Sequence, residues 1–231
     1  MTKTFKSKLS IAAFAVAVFS MSAATASAQG PLPEILKRMD AMNKSLTSLK
    51  ADVRMDKLNS QLGDTDTSTG TTSYVPKSAK GRYARIEWVK PVAESIVIQG
   101  NRYQLFRPRL NQVIEGNVDQ AGKDNKVPGN ALAFMSMSKA QLQANYQVSY
   151  LGQESAGGKT TWHLELTPKN KTSYRSAELW VDSNGMPIQA KIIEQNSDST
   201  TVLLTNIQQN VTINGSEFTL KLPANVKRIQ A

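Results

Sequence analysis

Arg82–Glu115 reads RYARIEWVKPVAESIVIQGNRYQLFRPRLNQVIE, four short strand-like runs with turn residues between them. The runs are Arg82–Val89, Ser95–Gln99, Arg102–Arg107 and Gln112–Glu115. In the first, Arg82, Ala84, Ile86 and Trp88 share one side, and Tyr83, Arg85, Glu87 and Val89 the other. A period of two is the mark of a half-buried strand. Gln99-Gly100-Asn101 supplies the positive φ of a tight hairpin. Connections this short force antiparallel neighbours.

The same punctuation continues toward the C-terminus. Further strands are predicted at Tyr146–Leu151, Thr160–Leu166, Ser173–Val181, Pro187–Glu194, Thr200–Thr205, Val211–Ile213 and Phe218–Leu220. Gly157-Gly158, Asn184-Gly185 and Asn214-Gly215 mark turns between them. Upstream, Lys50–Leu58 alternates Ala51, Val53 and Met55 with Asp52, Arg54 and Asp56 and reads as another strand. Gly63–Ser73 (GDTDTSTGTTS) is polar and reads as a loop or hairpin tip. No βαβ alternation is present, which excludes a doubly wound sheet.

Two segments break the strand pattern. From Pro31 to Lys50, Leu32, Ile35, Leu36, Met39, Met42, Leu46 and Leu49 recur at spacings of three and four, the stripe of an amphipathic helix. Pro31 and Pro33 are tolerable in its first turn. Midway, Ala131–Met137 (ALAFMSM) is apolar nearly all round, and Ser138–Gln141 has the form of a capping box opening a short helix that carries Leu142. The fold class is therefore mainly β with α: one antiparallel sheet of about eleven strands, an N-terminal helix and a short helical insert. So many strands in one open sheet should curl. Helices laid against the hollow face bury both apolar stripes. The insert itself reads either as permanent core or as a movable cover, and apolar stripes are more often core.

The N-terminal segment is an address. Lys3, Lys6 and Lys8 precede the apolar run Leu9–Phe19, and Ala26-Ser27-Ala28 forms a small-x-small cleavage site. Residues 1–28 read as a secretory signal peptide, leaving 29–231 as a single domain. The run is shorter than the roughly 20 residues of a spanning helix. Losing three lysines and no acids with it takes the net charge from +10 to +7.

Composition excludes much chemistry. The 231 residues include no cysteine and one histidine, His163. Disulfides, thiolate nucleophiles and multi-histidine metal or catalytic sites are excluded. His163 falls on the polar face of its strand with no paired nucleophile. No cofactor or metal motif is present, and scattered basic residues without a recognition motif argue against nucleic acid.

Several stretches carry a family resemblance. Arg85–Pro91, Glu94–Gly100, Tyr103–Pro108 and Asn111–Val113 resemble the second-to-fourth-strand signature of the periplasmic lipoprotein carrier (LolA) family. Pro128–Met135 is similar to that family's lid helices, and Trp162–Lys169 to its mid-chain strand ending in Pro-Lys. Leu179–Asp182, Gly185–Pro187, Leu203–Ile207 and Phe218–Pro223 follow in the same order. The resemblance implies an unclosed half-barrel with a helical lid over a hydrophobic cavity. It implies a periplasmic, non-enzymatic, monomeric chaperone that takes lipoprotein acyl chains from an inner-membrane lipoprotein-releasing ABC transporter to an outer-membrane acceptor. Relatives on the same fold bind glycolipids or other lipids, or sense envelope lipoproteins, and that is the alternative.

On this reading Leu36, Met39, Ile86, Trp88, Phe106, Phe134, Met135, Trp162 and Leu164 are expected to line the lipid-binding cavity. Met42 and Met137 suit a variable lipid as well, because methionine adapts to irregular apolar partners. The family's lid-latching arginine falls on Lys80 here, so Lys80, Arg82 and Arg85 are the candidate latch residues.

Overall fold

The computed structural model describes residues 30–78, 81–118 and 135–231, and among these residues it has two α-helices, two short 3-10 turns and twelve strands. The segment read as a signal peptide and the insert up to Phe134 lie outside the described residues. Helix α1 is Leu32–Ser45 and α2 is Lys139–Asn145. The strands are β1 Leu49–Asn59, β2 Asp64–Ser78, β3 Gly81–Lys90, β4 Glu94–Gln99, β5 Arg102–Arg107, β6 Gln112–Asn117, β7 Tyr146–Ala156, β8 Lys159–Pro168, β9 Tyr174–Val181, β10 Pro187–Glu194, β11 Ser199–Gln209 and β12 Lys227–Gln230. They form one sheet in the order β12-β6-β5-β4-β3-β2-β1-β11-β10-β9-β8-β7. The sheet does not close, so β12 and β7 are its edges. This is the half-barrel.

α1 begins with Pro31 and Pro33 in its first turn and buries Ile35, Leu36 and Met39 against the sheet. Glu34 in the first turn and Lys44 in the last complement the helix dipole. The helix stops at Ser45 rather than running to Lys50. Thr47 and Ser48 instead tie the chain to the end of β11, where Asn210 Oδ1 accepts from the Thr47 amide at 2.8 Å and the Ser48 hydroxyl donates to the Val211 carbonyl. Leu46 and Leu49 remain buried after the helix has ended.

The polar stretch Gly63–Ser73 is not a loop. Nearly all of it belongs to β2, which pairs with β1 from Asn59↔Asp64 to Leu49↔Tyr74 and with β3 on its other side. Its five threonines are β-branched and fit a pleated surface although the run carries little apolar character. Gly70 permits a close strand approach, since a Cβ there would fall 1.9 Å from the Glu87 carbonyl oxygen.

The C-terminal end is the second departure. Val211–Ile213 and Phe218–Leu220 are not strands, and Asn214-Gly215 is not a hairpin turn. The Asn214 side chain caps a short 3-10 turn, Gly215–Phe218, in a segment that crosses the outer face of the sheet. Phe218 and Leu220 pack there with Val97 and Val113 as a second small core. Their alternation reflects docking onto a sheet rather than pairing within one. The crossing delivers β12 alongside β6 as the single parallel pair in the sheet. The main core lies on the inner face, between the sheet and α1.

Candidate functional site

The inner face is roofed by α1 and by the end of the insert, Met135–Met137. α1 is anchored at the β9–β10 turn. Asp182 Oδ1 accepts from the Asn184 and Met186 amides at 2.9 Å, and Arg38 donates to the Ser183 carbonyl at 2.9 Å. Gly185, at φ 86°, lies against the helix backbone, where a Cβ would fall 2.4 Å from the Arg38 carbonyl carbon. The insert is anchored by polar contacts. Asn43 Nδ2 donates to the Ser136 carbonyl at 2.8 Å, and the Tyr74 hydroxyl hydrogen-bonds to Ser136. Ser138 and Gln141 complete the capping box that opens α2.

Between roof and sheet lies a cavity of about 310 Å³. Five methionines line it: Met39 and Met42 from α1, Met135 and Met137 from the insert, and Met186 from the β9–β10 turn. Leu46, Leu49, Ala84, Ile86, Ile98 and Leu204 complete most of the apolar wall. The polar part of the lining is Asn43, Thr72, Tyr74, Ser136 and Arg82. Burial holds the Tyr74 hydroxyl above the usual tyrosine range, against the opposing effects of its Ser136 hydrogen bond and the Arg82 charge.

Of the residues expected at the site, Met39, Ile86, Met135 and Arg82 line this cavity, as do Met42 and Met137. Leu36, Trp88 and Leu164 are buried in the main core without lining the cavity. Trp162 lies under α1, with the Arg38 guanidinium 5.4 Å above its ring. Phe106 is on the other side of the sheet. Leu105 takes the inward position of β5, so Phe106 packs with Val97 and Phe218 in the outer core. Arg85 is also on the outer face, where it donates to the carbonyls of Glu217 at 2.6 Å and Thr219 at 3.2 Å. It fastens the C-terminal crossing rather than the insert. Lys80 and Phe134 lie outside the described residues. Sequence reading missed Tyr74, Asn43 and Met186. Tyr74 follows the stretch read as a loop, and its parity with Thr72 and Pro76 would have placed it had β2 been recognised.

His163 is more enclosed than a surface imidazole. It stacks on Trp180 with centroids 4.2 Å apart, and its ring nitrogens are 2.9 and 3.0 Å from Glu154 and Glu178 carboxylate oxygens. The cluster is on the outer face, and no nucleophile contacts the ring among the described residues. No group of three or more potential metal ligands occurs among them either. What the arrangement can do chemically is exclude water from an apolar guest.

The geometry defines a class, an unclosed antiparallel barrel with a roofed apolar hollow. The chain belongs to the LolA family: the family model for the outer membrane lipoprotein carrier protein LolA matches residues 45–221. An outer-membrane lipoprotein carrier protein of Bordetella avium (strain 197N) is 26% identical over 179 residues, covering 74% of this chain and 80% of that relative. A conserved protein of Thermus thermophilus shares the fold with TM-score 0.55 at 11% identity, over 87% of this chain and all of the other. The Pseudomonas aeruginosa MucA/MucB complex matches with TM-score 0.51 at 14% identity over 83% of this chain, which spans 61% of the matched chain.

Proposed function

We propose that this protein is a periplasmic carrier, not an enzyme, that shelters the acyl chains of lipoproteins and moves them from an inner-membrane ABC transporter to an outer-membrane acceptor. Residues 1–28 are its export signal on this reading. The observation that carries it is the methionine-lined cavity under a roof whose insert is held by a few polar contacts. Burying one CH₂ is worth about 0.8 kcal/mol, so a chain of ~16 carbons needs on the order of ten kcal/mol of shelter to cross water. A volume near 310 Å³ falls at the small end of ligand pockets. The reading requires the roof to open and enlarge it. Flexible thioethers let one wall fit acyl chains of different length. Membership of the LolA family and the name of the Bordetella avium relative support the cargo.

A fluorescence assay tests the reading. Purified protein carrying the neutral apolar dye Nile red is titrated with an acylated lipoprotein and with the same protein lacking its acyl chains. The acylated form is expected to displace the dye and the bare form to leave it. Equal displacement by both overturns the proposal. A second reading, a carrier of lipids or glycolipids on the same fold, is favoured by one observation: the cavity wall carries a charge, at Arg82.

A further inference from the structure

Three arginines among the described residues are half-buried, and they differ in one respect. Arg85 meets Glu87, and Arg107 meets Glu94 at 3.1 Å. Arg82 has no carboxylate within ion-pair distance among the described residues. It is also the one formally charged residue among those described in the cavity wall. Its position follows from strand parity. Arg82, Ala84 and Ile86 share the inward face of β3, and Ala84 pairs with Tyr74 on β2, so Arg82 is a diagonal neighbour of the Tyr74 hydroxyl. Asn43 adds an amide and Thr72 a hydroxyl to the same wall. The cavity wall is thus amphipathic, with thioether and aliphatic groups over most of it and a guanidinium together with a few neutral polar groups.

A half-buried cation with no carboxylate beside it among the described residues is well placed to take an anion. Guanidinium is also the group best matched to a carboxylate or phosphate, through paired N–H donors. We infer that the cavity takes an acidic amphiphile, its hydrocarbon tail among the methionines and its carboxylate or phosphate on Arg82. This rests on the reading of the cavity as an acyl-chain shelter and names the head group that shelter selects. The acid group could be that of a free fatty acid or the phosphate of a lysophospholipid, and the shared chemistry is a compact oxyanion one chain-end away from the tail.

Calorimetric titration of the full-length mature chain decides the matter. The probes are palmitate, 1-palmitoyl lysophosphatidate and the neutral monopalmitin, each below its critical micelle concentration. At least one acid is expected to bind tenfold or more tightly than monopalmitin, and which acid wins identifies a carboxylate or a phosphate ligand. Arg82→Gln should abolish that preference, leaving the acids no tighter than monopalmitin, while Arg82→Lys should recover part of it. Thermal melts check that both variants fold. Equal affinities of wild-type protein for acids and monopalmitin, or an acid preference that survives Arg82→Gln, overturn the head-group assignment and leave the acyl-chain shelter standing. Failure of all three probes to bind wild-type protein overturns both.

Discussion

Tyr74 and Tyr174 show how one residue type does different work in two settings. Tyr74 is half in the cavity wall and half in the fastening of the roof, through Ser136. Tyr174 is paired hydroxyl to hydroxyl with Tyr146 at 2.6 Å, away from the cavity wall. Burial, and then the bond to Tyr146, push the Tyr174 phenol well above its ordinary range. The folded protein therefore keeps this proton where the unfolded chain gives it up. Its stabilising effect is complete below the unfolded value of about 10 and is lost as pH rises beyond it. Melting temperatures at pH 8 and pH 11 are expected to fall further for wild-type protein than for Tyr174→Phe. Parallel falls would show that another group governs the alkaline limit. Phe106 makes the complementary point about reading single residues. It is aromatic and sits next to Leu105, yet one position along a strand moves a side chain to the opposite face.

The β9–β10 turn is the element on which the roof depends. Asp182-Ser183-Asn184-Gly185 folds on its own hydrogen bonds and presents the Ser183 carbonyl to Arg38, while Gly185 lies directly beneath the α1 backbone. Gly185→Ala faces both a left-handed φ and a backbone clash. It is expected to cost about 1–3 kcal/mol, read as a lower urea midpoint, and to speed amide exchange in Leu32–Ser45 more than in β7 and β8. Unchanged exchange in α1 would mean that the helix is held elsewhere. The outer crossing is an independent element. Arg85 fastens it through two backbone carbonyls, and β12 closes it onto β6. Arg85→Ala is expected to cost about 1–3 kcal/mol through unsatisfied carbonyls, seen in denaturant unfolding, with Nile red uptake retained. Loss of uptake without loss of stability would place Arg85 in the binding machinery.

The molecule as a whole concentrates its methionines. Five of the eight in the chain line one cavity. Thioethers make that wall adaptable and also vulnerable, because sulfoxide is polar. Mild hydrogen peroxide is therefore expected to lower Nile red or acyl-chain uptake severalfold while far-UV circular dichroism stays native. Methionine sulfoxide reductase should restore uptake, and replacing Met39 and Met42 by leucine should blunt the loss. Unaltered uptake after mass spectrometry has verified oxidation of these residues would show that the cavity wall is not where the guest lies. With the main core on the inner face and a second small core outside, the sheet is covered on both faces along β3–β6, and β7 forms one of its edges.

Local patterns in the chain were enough to determine most strands from β3 to β11, the start of α1, the capping box of α2 and the inward face of β3. These depend on periodicity and turn chemistry within a few residues. The polar β2, the crossing at 211–226 and the parallel β12 were decided only by tertiary structure. β2 is a strand because two neighbours hydrogen-bond it, and the crossing alternates because it docks on a face. The site divides the same way. The adaptability of methionine pointed to four of the five lining thioethers, Met39, Met42, Met135 and Met137, whereas Met186, Tyr74 and Asn43 come from segments far apart in the chain. A cavity is a property of what the folded elements leave unfilled between them, and no single stretch of sequence contains it.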